Sequence, residues 1–189
     1  GGDIPEALVP FVNAPITGVE EVDKKSRELA MVYNIPLVVG GDLTKLPRPI
    51  HTSGFRAMTL EGIPAILAES GQQGILTMED TERHLVGLRN IMIHLGMREG
   101  TIINNVKRMF SAEHAAIRAE FDAMWYPAVK LGDWATAAQV IGEYRTVFGE
   151  HLADVKAPFD GHITVIRTSP HVDTGNVVIE IDRVVERES

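Results

Sequence analysis

The sequence contains no cysteine. Disulfides, thiolate metal sites and a cysteine nucleophile are therefore excluded, and a thiol-free chain suits a reducing cytoplasm. No apolar run approaches the roughly 20 residues that a membrane-spanning helix needs. No signal-peptide pattern opens the chain. Clustered lysine and arginine are missing too. The short basic runs DKKSR (23–27) and NVKRMF (105–110) read as solvated faces, and the formal net charge is -8. That balance lacks the phosphate-binding footprint of a nucleic-acid binder. Walker, G-x-G-x-x-G and G-x-S-x-G patterns are absent. VVGGDLTK (38–45) places glycines after a strand without forming a phosphate loop. These absences argue against a nucleic-acid partner and against a membrane.

What is present is enough for one sizeable core or two small domains: 189 residues, 44% hydrophobic and 23% charged. The first half alternates short apolar runs with amphipathic stretches. In ITGVEEVDKKSRELAMVYN, Thr17 stands three residues before Glu20, a capping-box spacing, and Val22, Leu29 and Val32 follow at helical intervals. A helix is predicted over 19–33. IPLVVGG (35–41) reads as a buried strand, DLTKLPRPIHTS (42–53) as a loop, and SGFRAMTLEG (53–62) as a short helix. IPAILAE (63–69) is a second buried strand. TMEDTERHLVGLRNIMIHL (77–95) is the clearest helix, capped by Thr77 and Asp80, with Leu85, Leu88, Met92 and Leu95 as its apolar stripe and Gly96 as its stop. Strands alternating with helices predict a mixed α/β sheet with helices on both faces.

The texture changes near residues 100–112. In AIRAEFDAMWYPAV (116–129), Ile117, Ala119, Phe121, Ala123 and Trp125 alternate, which predicts a strand. Glycines then recur at 132, 142, 149, 161 and 175 between short apolar runs, the pattern of a small all-β barrel-sandwich unit. Two domains are expected, 1–105 and 106–189. AVKLGDWATAAQVIGEY and SPHVDTGNVVIEID suggest a weak internal duplication. Trp125 and Trp134 read as packing residues of the barrel or an interface. The glycine rhythm is that of biotinyl and lipoyl carrier barrels, but the hairpin RTVFGEHL (145–152) has no lysine to modify and Lys156 lies inside a strand. The carrier role is excluded while the fold is kept.

One residue raises a chemical question. Glu69 ends a buried strand and is followed at once by SGQQG. Ligands gather at the carboxyl ends of strands in open α/β sheets, and a half-desolvated carboxylate there suits general-base work. A strand-end glutamate also serves simply as an ion-pair partner.

GIPAILAESGQQG, followed by MEDTERHLVGLRNIMIHLGM, resembles the succinylglutamate desuccinylase/aspartoacylase family, zinc-dependent deacylases related to zinc carboxypeptidases. The opening GGDIPEALVPFV and the tail VKLGDW…APFDGHITVI…VDTGNVVIEI are similar to the same family, so the resemblance spans nearly the whole chain. It implies that Glu69, in its E-x-G context with Ser70 and Gly71, is the catalytic base. It takes a proton from a zinc-bound water and passes it to the leaving amine, releasing a carboxylate from a small N-acyl amino acid or amine. The family binds zinc through H-x-x-E and a later histidine. None of the seven histidines here begins H-x-x-E; HLAD, with His151 and Asp154, comes nearest. The zinc ligands are therefore expected upstream, with no metal ligand in this chain. The chain, which opens without methionine, is expected to be an N-terminally truncated and inactive piece of a cytoplasmic homo-oligomer. Arg56, His51 and Gln72 are candidate substrate-binding residues. Arg56 offers a guanidinium fork for a carboxylate; each of the three also has a bland reading as a loop, turn or solvated helix residue. The alternative function is a non-catalytic small-molecule-binding or assembly module built on the β unit.

Overall fold

The computed structural model describes residues 4–45 and 54–186. The elements in chain order are β1 (Glu6–Leu8), β2 (Phe11–Asn13), α1 (Glu20–Val32), β3 (Leu37–Val39), α2 (Gly54–Leu60), β4 (Leu67–Glu69), α3 (Met78–His94) and β5 (Met109–Arg118). An all-β run follows: β6 (Ala123–Pro127), β7 (Trp134–Ala135), β8 (Val140–Arg145), β9 (His151–Lys156), β10 (Gly161–Arg167), β11 (His171–Val172) and β12 (Val177–Glu186). The fold is mixed α/β, with three α-helices among the described residues. The chain divides into two compact units, Pro10–Ser70 with Leu76–Phe110 and Glu186–Ser189, and Gly1–Val9 with Gly71–Ile75 and Ser111–Val185.

The helical unit carries strands in the order β4-β2-β3 and the first residues of β5. β2 and β3 are parallel, and so are β3 and β5, whereas β4 runs antiparallel to β2. Val12, Ala30, Tyr33, Ile35 and Val38 form its core. The expected capping box is not what starts α1. Val19 is the N-cap and makes no side-chain cap. Instead the Asp23 carboxylate, one turn in, accepts from the Thr17 amide at 2.7 Å, the Thr17 hydroxyl at 2.6 Å and the Gly18 amide at 3.1 Å. These bonds tie the residues ahead of α1 to its first turn, where the helix dipole favours a carboxylate, and Thr17 Oγ1 accepts in turn from the Val19 amide at 3.1 Å. Near the other end of α1, the buried Arg108 guanidinium donates to the Met31 and Ile35 carbonyls and to Asn104 Oδ1. Burial lowers its pKa. The predicted loop over 42–53 contains one 3₁₀ turn, Leu43–Lys45; the remainder, 46–53, lies outside the described residues.

The apolar stripe expected to bury α3 faces solvent instead. Leu85, Leu88, Met92 and Leu95 are 48%, 53%, 39% and 55% exposed, and the buried residues of the helix are Gly87 and Asn90. The period was legible but its direction was not, because the packed face is small and polar. Asn90 donates to the carbonyls of Val32 and Ile103 and accepts from the Ile103 amide at 2.9 Å. Gly87 leaves room for the Tyr33 ring, whose nearest carbon lies 2.5 Å from where a Cβ would stand. Tyr33 is itself held by a 2.9 Å hydrogen bond between its hydroxyl and His84 Nδ1. Gly87→Ala gains up to about 1 kcal/mol in helix propensity, yet is expected to lose about 1–3 kcal/mol net through overpacking. Urea unfolding measures the sign, and a stabilised variant would refute the contact.

The β unit has two sheets. One carries β1-β10-β12-β5 with β7 on β10, and the other runs β11-β6-β8-β9. Their inner faces share one core: Trp125, Ile141, Tyr144, Val155 and Val172 from the four-stranded sheet meet Ala135, Ile163, Ile166, Ile179 and Ile181 from the other. Trp125 is buried, whereas Trp134 is 51% exposed and rests edge-on against His162 at 5.0 Å. The single strand read across Ile117–Trp125 is in fact two. β5 stops at Arg118 and β6 starts at Ala123. Asp122, in the break, accepts from the Thr174 amide and hydroxyl at 2.8 Å each.

The suspected duplication has a geometric counterpart. VKLGD (129–133) and VDTGN (172–176) both form turns with a positive-φ glycine in the third turn position, Gly132 at 84° and Gly175 at 88°. In each, the side chain of the fourth residue accepts from the backbone N–H of the first: Lys130 to Asp133 Oδ2, and Asp173 to Asn176 Oδ1. Each turn also clasps a distant residue in the same way. Gly132 donates to the Ile163 carbonyl and Ile163 donates back to Asp133; Gly175 donates to Ala119 and Ala119 donates back to Asn176. Glycine is required there because φ near +85° crowds any Cβ.

Candidate functional site

Glu69 is the last residue of β4 and is half-buried. Its pairing partner in β2 is Phe11, the first residue of that strand, and Phe11 in turn pairs with Leu37, the first residue of β3. The carboxyl end of β4 therefore lies level with the amino ends of the two parallel strands. The rule that ligands gather at carboxyl ends applies to parallel strands, and the antiparallel β4 removes that argument for Glu69.

What fixes Glu69 is its neighbour. Ser70 is buried, 1% exposed. Its hydroxyl donates to Asp80 Oδ1 at 2.5 Å and accepts from Arg83 Nη1 at 2.6 Å. Arg83 Nη1 also reaches Asp80 Oδ1 at 2.6 Å, and Nη2 reaches Glu79 at 2.8 Å. Thr77 caps α3 by accepting from the Asp80 amide, while its hydroxyl donates to Asp80 Oδ2 at 2.5 Å. Local sequence signals give Asp80 only as part of the α3 cap and carry no mark of the role of Arg83. Their spacing of three residues on one helix face was legible; the arrival of Ser70 between them was not.

Hydrogen bonds from Ser70 and Thr77, with the Arg83 charge beside them, hold the Asp80 pKa below its ordinary 3.8. A depressed carboxylate stabilises the fold fully above its unfolded value and loses that contribution as pH falls through the folded one. Asp80→Asn is therefore expected to flatten the acid-unfolding limb below pH 3.8 relative to wild type. Circular dichroism against pH measures it, and superimposable acid limbs would contradict the network.

Arg56 lies on α2, half-buried, with its guanidinium carbon 5.8 Å from the Phe55 ring centroid. Gln72 is exposed and belongs to the β unit, where its carbonyl accepts from the Ile75 amide at 2.9 Å. His51 lies outside the described residues. An open groove on the helical unit is lined by Glu20, Lys24, Arg27, Met31 and His94, and includes neither Glu69 nor Arg56. Among the described residues, no group of three histidine or carboxylate ligands includes Glu69. The zinc that the family resemblance implies is therefore not fitted by these residues at this position.

The β unit holds serine, histidine and aspartate together in a different arrangement. The buried Asp182 accepts from Ser111 and from Thr164 at 2.6 Å, and lies 3.3 Å from His114 Nδ1. Burial alone would raise the Asp182 pKa, but hydrogen bonds from His114, Ser111 and Thr164 outweigh it and the net shift is downward. The same bond raises the His114 pKa against burial. Asp182 stands between serine and histidine, so the imidazole does not take the serine proton. Nucleophile activation needs serine on histidine; this cluster, with Asp182 buried and His114 exposed, is a structural anchor.

Neither a family model nor a curated protein matches the sequence. Solved structures do share the fold. The product-bound ectoine utilization protein EutE (DoeB) from Ruegeria pomeroyi superposes with a TM-score of 0.80 at 17% identity, covering 96% of this chain and 55% of that one. A succinylglutamate desuccinylase from a Silicibacter species gives 0.81 at 18% identity, covering 98% and 56%. A succinylglutamate desuccinylase/aspartoacylase from Rhodobacter sphaeroides gives 0.78 at 16%, covering 98% and 56%. The resemblance read from the strand-Glu69-helix stretch is thus met by the fold, and at these identities the likeness is one of fold. The chain spans just over half the length of these structures.

Proposed function

We propose that this chain is the C-terminal part of a zinc-dependent deacylase that hydrolyses a small N-acyl amino acid or amine, with Glu69 as its general base. The observation that carries this reading is the anchored strand end: Glu69 precedes a buried Ser70 tied to Asp80 and Arg83, in a fold shared with succinylglutamate desuccinylase and aspartoacylase structures. The Ser70 anchor limits the backbone freedom of Glu69, which is what a base aimed at one water requires. Arg56 is the proposed partner of a substrate carboxylate, with His51 and Gln72 as further lining residues. The zinc ligands belong, on this reading, to sequence beyond these 189 residues, and the chain alone is expected to be inactive. The proposed functional division is a catalytic remainder over 1–105 and a β-rich domain over 106–189, whereas the compact units assign 1–9 and 71–75 to the β unit.

A panel of N-acetyl, N-succinyl and related N-acyl amino acids, assayed for amine release with the longer protein and zinc, tests the reading. Release from at least one member supports it; a panel without turnover by zinc-loaded protein overturns it.

The exposed stripe of Leu85, Leu88, Met92 and Leu95 on α3 supports the proposal of a self-associating chain. Sedimentation of the 189-residue chain is expected to show association that Leu88→Glu weakens; a monomer at all concentrations would contradict it.

A further inference from the structure

β8 and β9 form a hairpin on the β unit. Glu143 on β8 stands directly opposite Asp154 on β9, and Tyr144 opposite Ala153. Register then slips by one residue: Arg145 pairs with His151, and Leu152 is the extra residue. In a regular ladder successive side chains alternate faces, and His151 would lie on the face opposite Asp154. The bulge turns it back, which is what an inserted residue does in a strand. Tyr144 points into the core, so Glu143, His151 and Asp154 share the solvent face.

The three side chains converge. His151 Nε2 lies 2.9 Å from Asp154 Oδ1 and 3.8 Å from Glu143 Oε2, and one donor atom from each residue falls within 4.8 Å of the others. Glu143 is oriented by Arg145, whose Nε and Nη2 donate to Oε1 at 2.9 and 2.6 Å, leaving Oε2 toward the histidine. Arg145 is steadied in turn against the Tyr126 ring at 5.4 Å. Outer residues that orient a ligating carboxylate in this way tune metal affinity.

We propose that Glu143, His151 and Asp154 bind a divalent transition metal of the zinc class on the outer face of this hairpin. One imidazole nitrogen with two carboxylate oxygens is a mixed donor set. Imidazole disfavours calcium and magnesium, the absence of thiolate disfavours copper(I), and zinc accepts both donor types. Three protein ligands leave coordination open to water or to a donor from another molecule. The ion ties β8 to β9 beneath a tip where Val147 and Phe148 are 76% and 90% exposed. The site does not include Glu69 and stands apart from the deacylase reading.

The test is titration of the EDTA-treated 189-residue chain with zinc chloride, followed by calorimetry and by the imidazole signals of the histidines in NMR. About one zinc per chain is expected, with the His151 ring signals shifting first. His151→Ala and Asp154→Asn are each expected to weaken binding by about tenfold or more. His171→Ala, which alters a looser pair 3.9 Å from Asp173, is expected to leave binding unchanged. All positions are surface-exposed, so metal-free melting curves matching wild type establish that each variant is folded. Absence of stoichiometric binding, or binding unaltered in both His151→Ala and Asp154→Asn, overturns the site.

Discussion

If the proposed function holds, Glu69→Gln in a protein that carries the zinc ligands is expected to lower kcat for amide hydrolysis by about 10²–10⁴-fold, the usual contribution of a positioned general base. The substitution keeps the shape and size of the side chain and removes its basicity. It leaves Ser70, Asp80 and Arg83 untouched, so the strand end stays tied to α3. An interaction made only in the transition state lowers kcat and kcat/KM together, and both are expected to fall in parallel. Thermal unfolding should be unchanged within the spread of surface substitutions, about 0.5 kcal/mol. A variant that keeps full kcat assigns the proton transfer elsewhere. A variant that loses activity and stability together makes Glu69 structural. Ser70→Ala separates positioning from chemistry: it keeps the base but frees the strand end, so a smaller fall in kcat that Ser70→Thr partly restores is expected.

Gly142→Ala is expected to destabilise the β unit at the upper end of the overpacking range, about 1–3 kcal/mol. A Cβ on Gly142 would stand 2.1 Å from Trp125 Cη2 and 2.5 Å from Cζ3. Trp125 is 2% exposed and packs against Tyr144 at 5.6 Å between ring centroids, so its ring has no empty side to move into. Interiors are close-packed, and strain of this size spreads into neighbours. The rescue is specific. Phenylalanine lacks the atoms that the new methyl meets, so Trp125→Phe in the Gly142→Ala background should recover part of the loss, although alone it leaves a cavity. The double-mutant cycle then gives a coupling of opposite sign to each single loss. Additive losses, or a Gly142→Ala variant as stable as wild type, would contradict the packing of Trp125 on this strand.

Much of the order of elements was legible in the sequence because it rests on local signals. The helix over 19–33 is α1, IPLVVGG holds β3, IPAILAE ends in β4, and the helix over 77–95 is α3. Periodicity and caps act within a turn or two of chain and need no tertiary information. What failed depended on partners far away in sequence. The stripe on α3 had the right spacing, but Gly87 and Asn90 make the packed face, because Tyr33 and Ile103 arrive from elsewhere to meet them. The alternation through Ile117–Trp125 hid a break that becomes visible only once Asp122 is seen holding Thr174. The direction of β4 had no local signature at all, so the argument placing Glu69 at the carboxyl ends of parallel strands failed, and the buried strand expected over 63–69 is in fact three partly exposed residues, Leu67–Glu69.

The candidate site shows the same division. Glu69 was legible as a carboxylate ending an apolar run. Asp80 and Arg83 were each visible on one face of α3, but their meeting on the Ser70 hydroxyl is a contact across 10 and 13 residues of sequence. HLAD is the nearest approach to a metal pair in the sequence. Spacing alone argues against it, since residues three apart in a strand face opposite ways. The bulge at Leu152 and the arrival of Glu143 change that, and neither leaves a mark in the sequence.

The central proposal is that this chain is part of an enzyme completed by sequence beyond these residues. The most direct measurement is the intact mass of the protein from its natural source, taken together with zinc-dependent hydrolysis of N-acyl amino acids by that same material. The account predicts a mass above 20.7 kDa and amine release that a chelator abolishes and zinc restores. A native chain of 20.7 kDa that releases no amine with zinc present would contradict it, and would leave the β unit as the working part.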